Sequence, residues 1–236
     1  MLIPIEHSGS RQRPLHCVAA CLLVGVALPT LAHNVSVTDA KYLEAVTGVA
    51  VGPFLYLGAK HMVTGFDHLL YLLGVLFFLR SPSEIVLYVT LFTVGHSLTL
   101  LGGVLTGLTV NPWLIDAIIG FSIVYKAFEN MGGFEQVGVM IDTRAAVFVF
   151  GLCHGVGLAT KLADFALAEE GLVANIFSFN VGVELGQILV LTFILLLLLR
   201  WRQSFEFRRS AFTANTLLMA AGFLLMGYQL TGYATG

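Results

Sequence analysis

Histidines and acidic residues recur inside segments of the chain that are otherwise apolar enough for a lipid bilayer. The stretch TGFDHLLYLL, residues 64–73, places Asp67 beside His68 at the start of a hydrophobic run. Imidazole and carboxylate together suit a divalent transition metal, whereas Ca²⁺ and Mg²⁺ favour oxygen ligands alone. The candidate metal ligands in these segments are His61, Asp67, His68, His96, His154 and Glu184.

The spacing of these residues predicts that they meet inside a helical bundle. A charged side chain in mid-bilayer costs about 2.5–3.5 kcal/mol, so several such groups must face one another. His61 and His68 are seven residues apart and share a helical face if the turn at Gly65 preserves the helical phase, whereas adjacent side chains diverge. We therefore expect Asp67 to orient the ring of His96 or His154 rather than that of His68. Glycines flank several of these positions, which lets helices approach closely.

Further polar residues in the same segments could orient the ligands through hydrogen bonds. They are Asp116, Glu129, Asn130, Asn180 and Gln187. Each also has a simpler interpretation. Asp116 could belong to the start of a helix, because it follows Asn-Pro-Trp, and Glu129 with Asn130 could end one. The polar stripe that runs from Asn180 to Gln187, at positions i, i+4 and i+7, could instead hydrogen-bond neighbouring helices.

The composition indicates a membrane protein with an all-α fold. Hydrophobic residues make up 57% of the 236 residues and charged residues 11%, against about 25% charged in soluble domains. The chain has no run of basic residues, which argues against a nucleic-acid partner.

Six apolar transmembrane helices are predicted near residues 52–79, 85–108, 112–130, 144–163, 173–199 and 212–231. Gly65 interrupts the first of these spans, which predicts a kink or a re-entrant piece. The Gly-rich linker 131–143 is predicted to be irregular.

The first residues have the pattern of a secretory signal peptide. Arg11 and Arg13 precede the apolar run CVAACLLVGVAL, and the small-residue end PTLA follows. This pattern predicts a signal peptide at 1–32 and a single six-helix transmembrane domain at 33–236, although an uncleaved first helix is the alternative. Cleavage after Ala32 would make His33 the mature N-terminus, whose amine and imidazole could chelate a metal outside the membrane.

The distribution of basic residues predicts the orientation of the bundle. Cytoplasmic loops carry an excess of lysine and arginine. Here the excess lies in the loops 80–84, 131–143 and 200–211 and their flanks, which predicts that both mature termini are periplasmic in a multi-pass protein of a bacterial inner membrane. The basic residues of this side are Arg80, Lys126, Arg144, Arg200, Arg202, Arg208 and Arg209.

Five motifs, in this order, resemble the HupE/UreJ family of hydrogenase and urease accessory membrane proteins. They are HMVTGFDHLL (61–70), FTVGHSLTL (92–100), DAIIGFSIVYKAFEN (116–130), FGLCHGVGLA (150–159) and FNVGVELGQ (179–187). The resemblance implies a nickel permease-like role, with nickel-enzyme maturation proteins as partners. By the same resemblance His61, Asp67 and His68 match the element linked to metal.

The resemblance also implies that the remaining candidates, His96, His154 and Glu184, belong to family motifs. The chain departs from the more typical nickel element, because Met62 follows the first histidine where that element has proline. Nickel is therefore the first expectation for the transported ion, and cobalt, zinc, copper and iron stay open.

Three functions fit these residues. The first is uptake of a divalent transition metal, driven by the membrane potential or by protons, since the chain has no G-x-x-x-x-G-K-[ST] nucleotide motif. The second is an intramembrane metal-dependent enzyme, in which the histidines hold zinc or a di-metal centre that activates water. The third is a metal sensor or an assembly factor for the metal centre of a partner complex, with a polar core that is purely structural.

Overall fold

The computed structural model describes residues 46–163, 170–204 and 207–236, and within these ranges the chain forms eight helices and no strand. The all-α prediction is thereby confirmed for the described chain. The predicted signal peptide and His33 lie outside the described residues. The helices are α1 (Val51–Thr64), α2 (Phe66–Leu76), α3 (Pro82–Thr106), α4 (Pro112–Asn130), α5 (Gly133–Gln136), α6 (Thr143–Ala163), α7 (Leu172–Arg202) and α8 (Phe207–Thr235).

Four of the described helices are long and apolar enough to cross a bilayer. They are α3, α6, α7 and the Ser210–Thr235 part of α8. Helices α1 and α2 have 14 and 11 residues, and neither alone reaches the roughly 20 residues that a transmembrane helix needs. The chain therefore has the helices of a membrane protein, while the predicted count of six spans remains a prediction.

The first predicted span is broken at Gly65, as the sequence suggested. The backbone of Gly65 is extended, with φ −76° and ψ 91°, so α1 ends and α2 begins on either side of it. Its N–H donates to the carbonyl of His61 over 2.9 Å, and its own carbonyl accepts from Leu69 over 3.1 Å. The break places the last turn of α1 and the first turn of α2 next to each other.

The prediction of an irregular linker at 131–143 is wrong for the four residues of α5. The ring of Phe134 packs against Tyr125 and Phe128 of α4, with centroid distances of 4.8 and 4.9 Å. This aromatic packing holds the turn against the end of α4, a tertiary contact that the local composition does not reveal.

Six of the described helices pack in three close pairs, α1 with α7, α3 with α6, and α4 with α8. Glycines allow these contacts, because the backbone of one helix lies where a side chain of the other would begin. In the first pair, a Cβ atom on Gly58 would collide with the carbonyl of Phe179, and one on Gly182 with that of Leu55. The short helix α2 contacts α1, α4, α7 and α8, so it lies inside the bundle.

Replacing Gly182 with alanine is expected to lower the thermal unfolding midpoint of the purified protein. The added methyl group would force α1 and α7 apart, and overpacking of this kind costs about 1–3 kcal/mol. Gly102→Ala in α3 is the matched control, because no atom lies within 4 Å of the position that its new Cβ atom would take. Equal unfolding midpoints for the two variants would contradict the close pairing of α1 with α7.

Candidate metal centre

Five of the six predicted ligands converge from four helices. His61 lies in the last turn of α1, Asp67 and His68 lie in the first turn of α2, and the other two come from α3 and α6. They form two overlapping groups, and within each group one ligand atom per residue lies within 4.8 Å of the others. The groups are His61, His68 and His96, and Asp67, His68 and His154.

His68 occupies the middle of this arrangement and belongs to both groups. Its ring centroid lies 4.7 Å from that of His154, 5.1 Å from that of His61 and 5.9 Å from that of His96. His68, His96 and His154 are at most 1% exposed, and Asp67 is 2% exposed. His61 is the partly exposed residue of the cluster, although its Nε2 atom is buried.

The break at Gly65 and the close contact of α3 with α6 position these side chains. A Cβ atom on Gly65 would lie 2.9 Å from Nδ1 of His68 and 3.3 Å from Oδ1 of Asp67, so only glycine leaves room for both groups. On α6, a Cβ atom on Gly155 would collide with the carbonyl of His96. This contact brings the neighbouring His154 to the same level as His96.

Hydrogen bonds fix the tautomers of two of the histidines. Nδ1 of His68 lies 3.1 Å from Oδ1 of Asp67, and Nδ1 of His154 lies 2.8 Å from the carbonyl oxygen of Phe150. A carboxylate and a carbonyl can only accept, so both Nδ1 atoms donate their protons. In the neutral imidazole, Nε2 of each ring is then the nitrogen with the lone pair that a metal ligand requires.

The Asp67–His68 contact corrects the prediction that Asp67 is badly placed to orient His68, while Asp67 also lies in one group with His154. Adjacent side chains diverge in the interior of a helix. Here both residues are in the first turn of α2, and Gly65 before them has no side chain. Because Gly65 has no side chain, the carboxylate of Asp67 and the ring of His68 have room to turn toward each other.

A protein-family model described as HupE / UreJ protein matches residues 22–236, which is most of the chain. The chain belongs to the HupE/UreJ family. This membership indicates a membrane protein with an accessory or transport role for nickel or a related metal. The comparison with curated proteins gives no match, and the comparison with solved structures gives none either.

Glu184, the sixth predicted ligand, lies apart from the two groups of this HupE/UreJ chain. It is exposed on α7, whereas the preceding Val183 is buried with 2% exposure. Successive helical residues are rotated by about 100°, so Glu184 lies two steps, or about 200°, round the helix from the buried Gly182. The predicted convergence of Glu184 with the histidines is therefore not supported by its position.

Two of the candidate orienting residues form ion pairs elsewhere in the bundle. Asp116 accepts from Nζ of Lys161 over 2.8 and 3.1 Å, which joins α4 to α6. Glu129 accepts from Lys126 over 3.1 Å and from the hydroxyl of Thr143. These contacts favour the structural interpretation of both acids, with charges that are compensated near the helix ends.

The three amides differ in what they contact. Asn130 donates to the carbonyl of Gly74 over 2.8 Å and to Asn215 over 2.9 Å, which links α4 to α2 and α8. Asn180 donates within its own helix. Gln187 is fully buried, and its side-chain oxygen accepts a hydrogen bond over 2.7 Å from the hydroxyl of Thr93. Thr93 lies one helical turn before His96 on α3. Gln187 is thus the amide that links α7 to the helix carrying a candidate ligand.

Aromatic residues that the sequence motifs did not single out surround the imidazoles. Phe92 lies 5.0 Å and Tyr71 5.7 Å from the ring of His154, measured between centroids, and Phe179 lies 5.9 Å from that of His61. Helical spacing in the sequence could have identified two of these neighbours, because Phe92 precedes His96 by one turn and Tyr71 follows His68 by one turn. These rings pack around the imidazoles and restrict their rotamers.

Proposed function

We propose that this HupE/UreJ protein carries a divalent transition-metal ion, most readily nickel, across a bacterial inner membrane into the cytoplasm. One observation supports the proposal above all others: four histidines and one aspartate from four helices surround a helix break in the protein interior. Broken helices with polar groups at the break are the usual construction of substrate sites in membrane transporters.

The ligand set suits the proposed substrate. Imidazole nitrogens with a single carboxylate fit Ni²⁺, Co²⁺, Zn²⁺, Cu²⁺ or Fe²⁺ and not the hard cations Ca²⁺ and Mg²⁺. Ligand atoms that share one ion with bonds of about 2.1 Å lie about 3–4 Å apart, so small side-chain movements close the shell. Nickel ranks first because of the family's link to nickel enzymes.

The two overlapping groups suggest two successive binding stations. His61 is the partly exposed member, so the group that contains it would receive the ion first. His68 belongs to both groups, which lets it hold the ion while His154 and Asp67 replace the ligands of the first station. Stepwise exchange of this kind avoids a fully undercoordinated ion in the membrane interior.

The charge balance favours transient binding. Asp67 would compensate one of the two charges of the ion, and Glu184 is exposed and outside both groups of potential ligands. A site that conducts must bind weakly enough to release its ion. With the predicted orientation, the membrane potential favours inward movement by about 2.3 kcal/mol per charge per 100 mV, and a divalent ion doubles this value.

Reconstitution into proteoliposomes tests this proposal directly. We expect radiolabelled nickel to accumulate inside vesicles with an inside-negative potential, with saturation and with competition by cobalt, copper or zinc. We also expect the purified protein to lose its metal during gel filtration, because the site is labile. Absence of transport of every tested metal would contradict the proposal. About one tightly retained metal per chain would instead favour the metal-dependent enzyme.

A further inference from the structure

A cavity of about 1260 Å³ lies at the end of α2 that is remote from His68. It is bounded by the carboxyl-terminal ends of α2, α4 and α7 and by the start of α8. Its position at the helix ends, beside the arginine-rich loops, corresponds to the headgroup level of the predicted cytoplasmic leaflet. None of the six candidate metal ligands lines this cavity, although the candidate orienting residue Asn130 does.

Two arginines form the polar wall of this cavity. Arg202 donates to the carbonyls of Leu79 over 2.7 Å and of Phe77 over 2.8 Å, and also to that of Leu76. It thereby neutralises the negative end of the α2 dipole. Arg80, by contrast, is exposed. Its guanidinium is the group at this wall that is accessible to a ligand from the membrane surface.

The charge of this wall is not balanced by an acid among the described lining residues. Glu129, which is close to the cavity along α4, is held by Lys126 and Thr143. Glu206 precedes Phe207 in the sequence and lies outside the described residues, so the experiment includes a variant that removes its charge. The first amides of α8, which begins at Phe207, add the positive end of a helix dipole.

Apolar side chains form a second wall of the cavity. Phe78 is 45% exposed and Phe212 is 65% exposed, and Phe207 and Ala211 continue the surface inward. A small hydrophilic anion would contact the arginines and leave these rings in contact with water. An amphiphile with an anionic headgroup contacts both walls, and basic pockets between transmembrane helices on the cytoplasmic side bind such lipids.

We propose that this cavity binds an anionic phospholipid of the cytoplasmic leaflet. The exposed guanidinium of Arg80 would contact the phosphate of its headgroup, with the charge of Arg202 behind it, and Phe78 and Phe212 would pack against the first part of its acyl chains. The bound lipid would brace the end of α2 whose other end carries Asp67 and His68.

Lipid titration of the full-length protein in detergent tests this inference. Native mass spectrometry would count bound phosphatidylglycerol, phosphatidylcholine of the same chain length, and inorganic phosphate. We expect phosphatidylglycerol to be retained in preference to phosphatidylcholine and not to be displaced by inorganic phosphate. Arg80→Gln should weaken phosphatidylglycerol binding about fivefold, as expected for one basic side chain. Phe212→Ser should weaken it without a change of charge.

Arg144→Gln is the matched control, because Arg144 is an exposed arginine of the same predicted side and does not line the cavity. Equal weakening by Arg80→Gln and Arg144→Gln would overturn the inference, because the lipid would then be held by general surface charge. Displacement by inorganic phosphate would also overturn it. Binding of phosphatidylglycerol by Glu206→Gln but not by the wild type would also overturn the inference. The charge of Glu206 would then neutralise the arginines of the wild-type cavity.

Discussion

His68→Ala is expected to abolish nickel binding and nickel uptake, with a loss of affinity greater than about 100-fold. His68 belongs to both groups of potential ligands, and its ring is the central one of the four. Loss of a residue that only orients a ligand already costs about 10–100-fold in metal affinity, and removal of a shared ligand must exceed this. Equilibrium binding and uptake into proteoliposomes, measured on the same preparation, check the prediction.

The matched control for His68→Ala is Glu184→Gln. Glu184 belongs to the same set of sequence candidates, but it is exposed and outside both groups. We expect Glu184→Gln to transport nickel at the wild-type rate, and both variants to insert and elute as the wild type does. Wild-type uptake by His68→Ala, or equal damage by the two substitutions, would refute the role given to His68.

Asp67→Asn is expected to weaken nickel binding by about 10–100-fold while the fold is retained. The amide has the size of the carboxylate, and its oxygen can still accept from Nδ1 of His68, so the ring keeps its orientation. What is lost is the negative charge that compensates the ion in a buried site. Competition titration with a metal-indicator dye provides the measurement.

Asp116→Asn separates this effect from the general consequence of removing a buried acid. Asp116 is 9% exposed and is paired with Lys161, away from the histidines. We expect this control to lower the unfolding midpoint, because Lys161 loses its partner, and to leave the nickel affinity unchanged. If Asp116→Asn weakened nickel binding as much as Asp67→Asn does, the special role of Asp67 would be disproved.

The sequence predicted the convergence of the histidines because the physical constraint behind it is strong. Imidazoles and carboxylates in apolar segments must face one another, and the position of Gly65 located the break that brings His61 and His68 together. The helix over 112–130 also has the predicted bounds, since Pro112 begins it and the polar residues at 129–130 end it. These features follow from local residue chemistry.

The sequence failed where tertiary contacts override the helical pattern. The pairing of Asp67 with His68 depends on the empty space beside Gly65, which an ideal continuous helix does not have. The polar spacing of Glu184 suggested an inward face, but the contact of α7 with α1 turns Gly182 and Val183 inward and Glu184 outward. Such rotations are set by helix packing, and only the assembled bundle specifies them.

X-ray absorption at the nickel edge, on protein loaded with about one ion per chain, tests the central claim most directly. We predict a shell of nitrogen and oxygen ligands at about 2.0–2.1 Å with the multiple scattering of imidazole, and loss of this signal in His68→Ala. A sulfur ligand, such as the thiol of Cys153 beside His154, or an unchanged imidazole shell in His68→Ala would contradict the account.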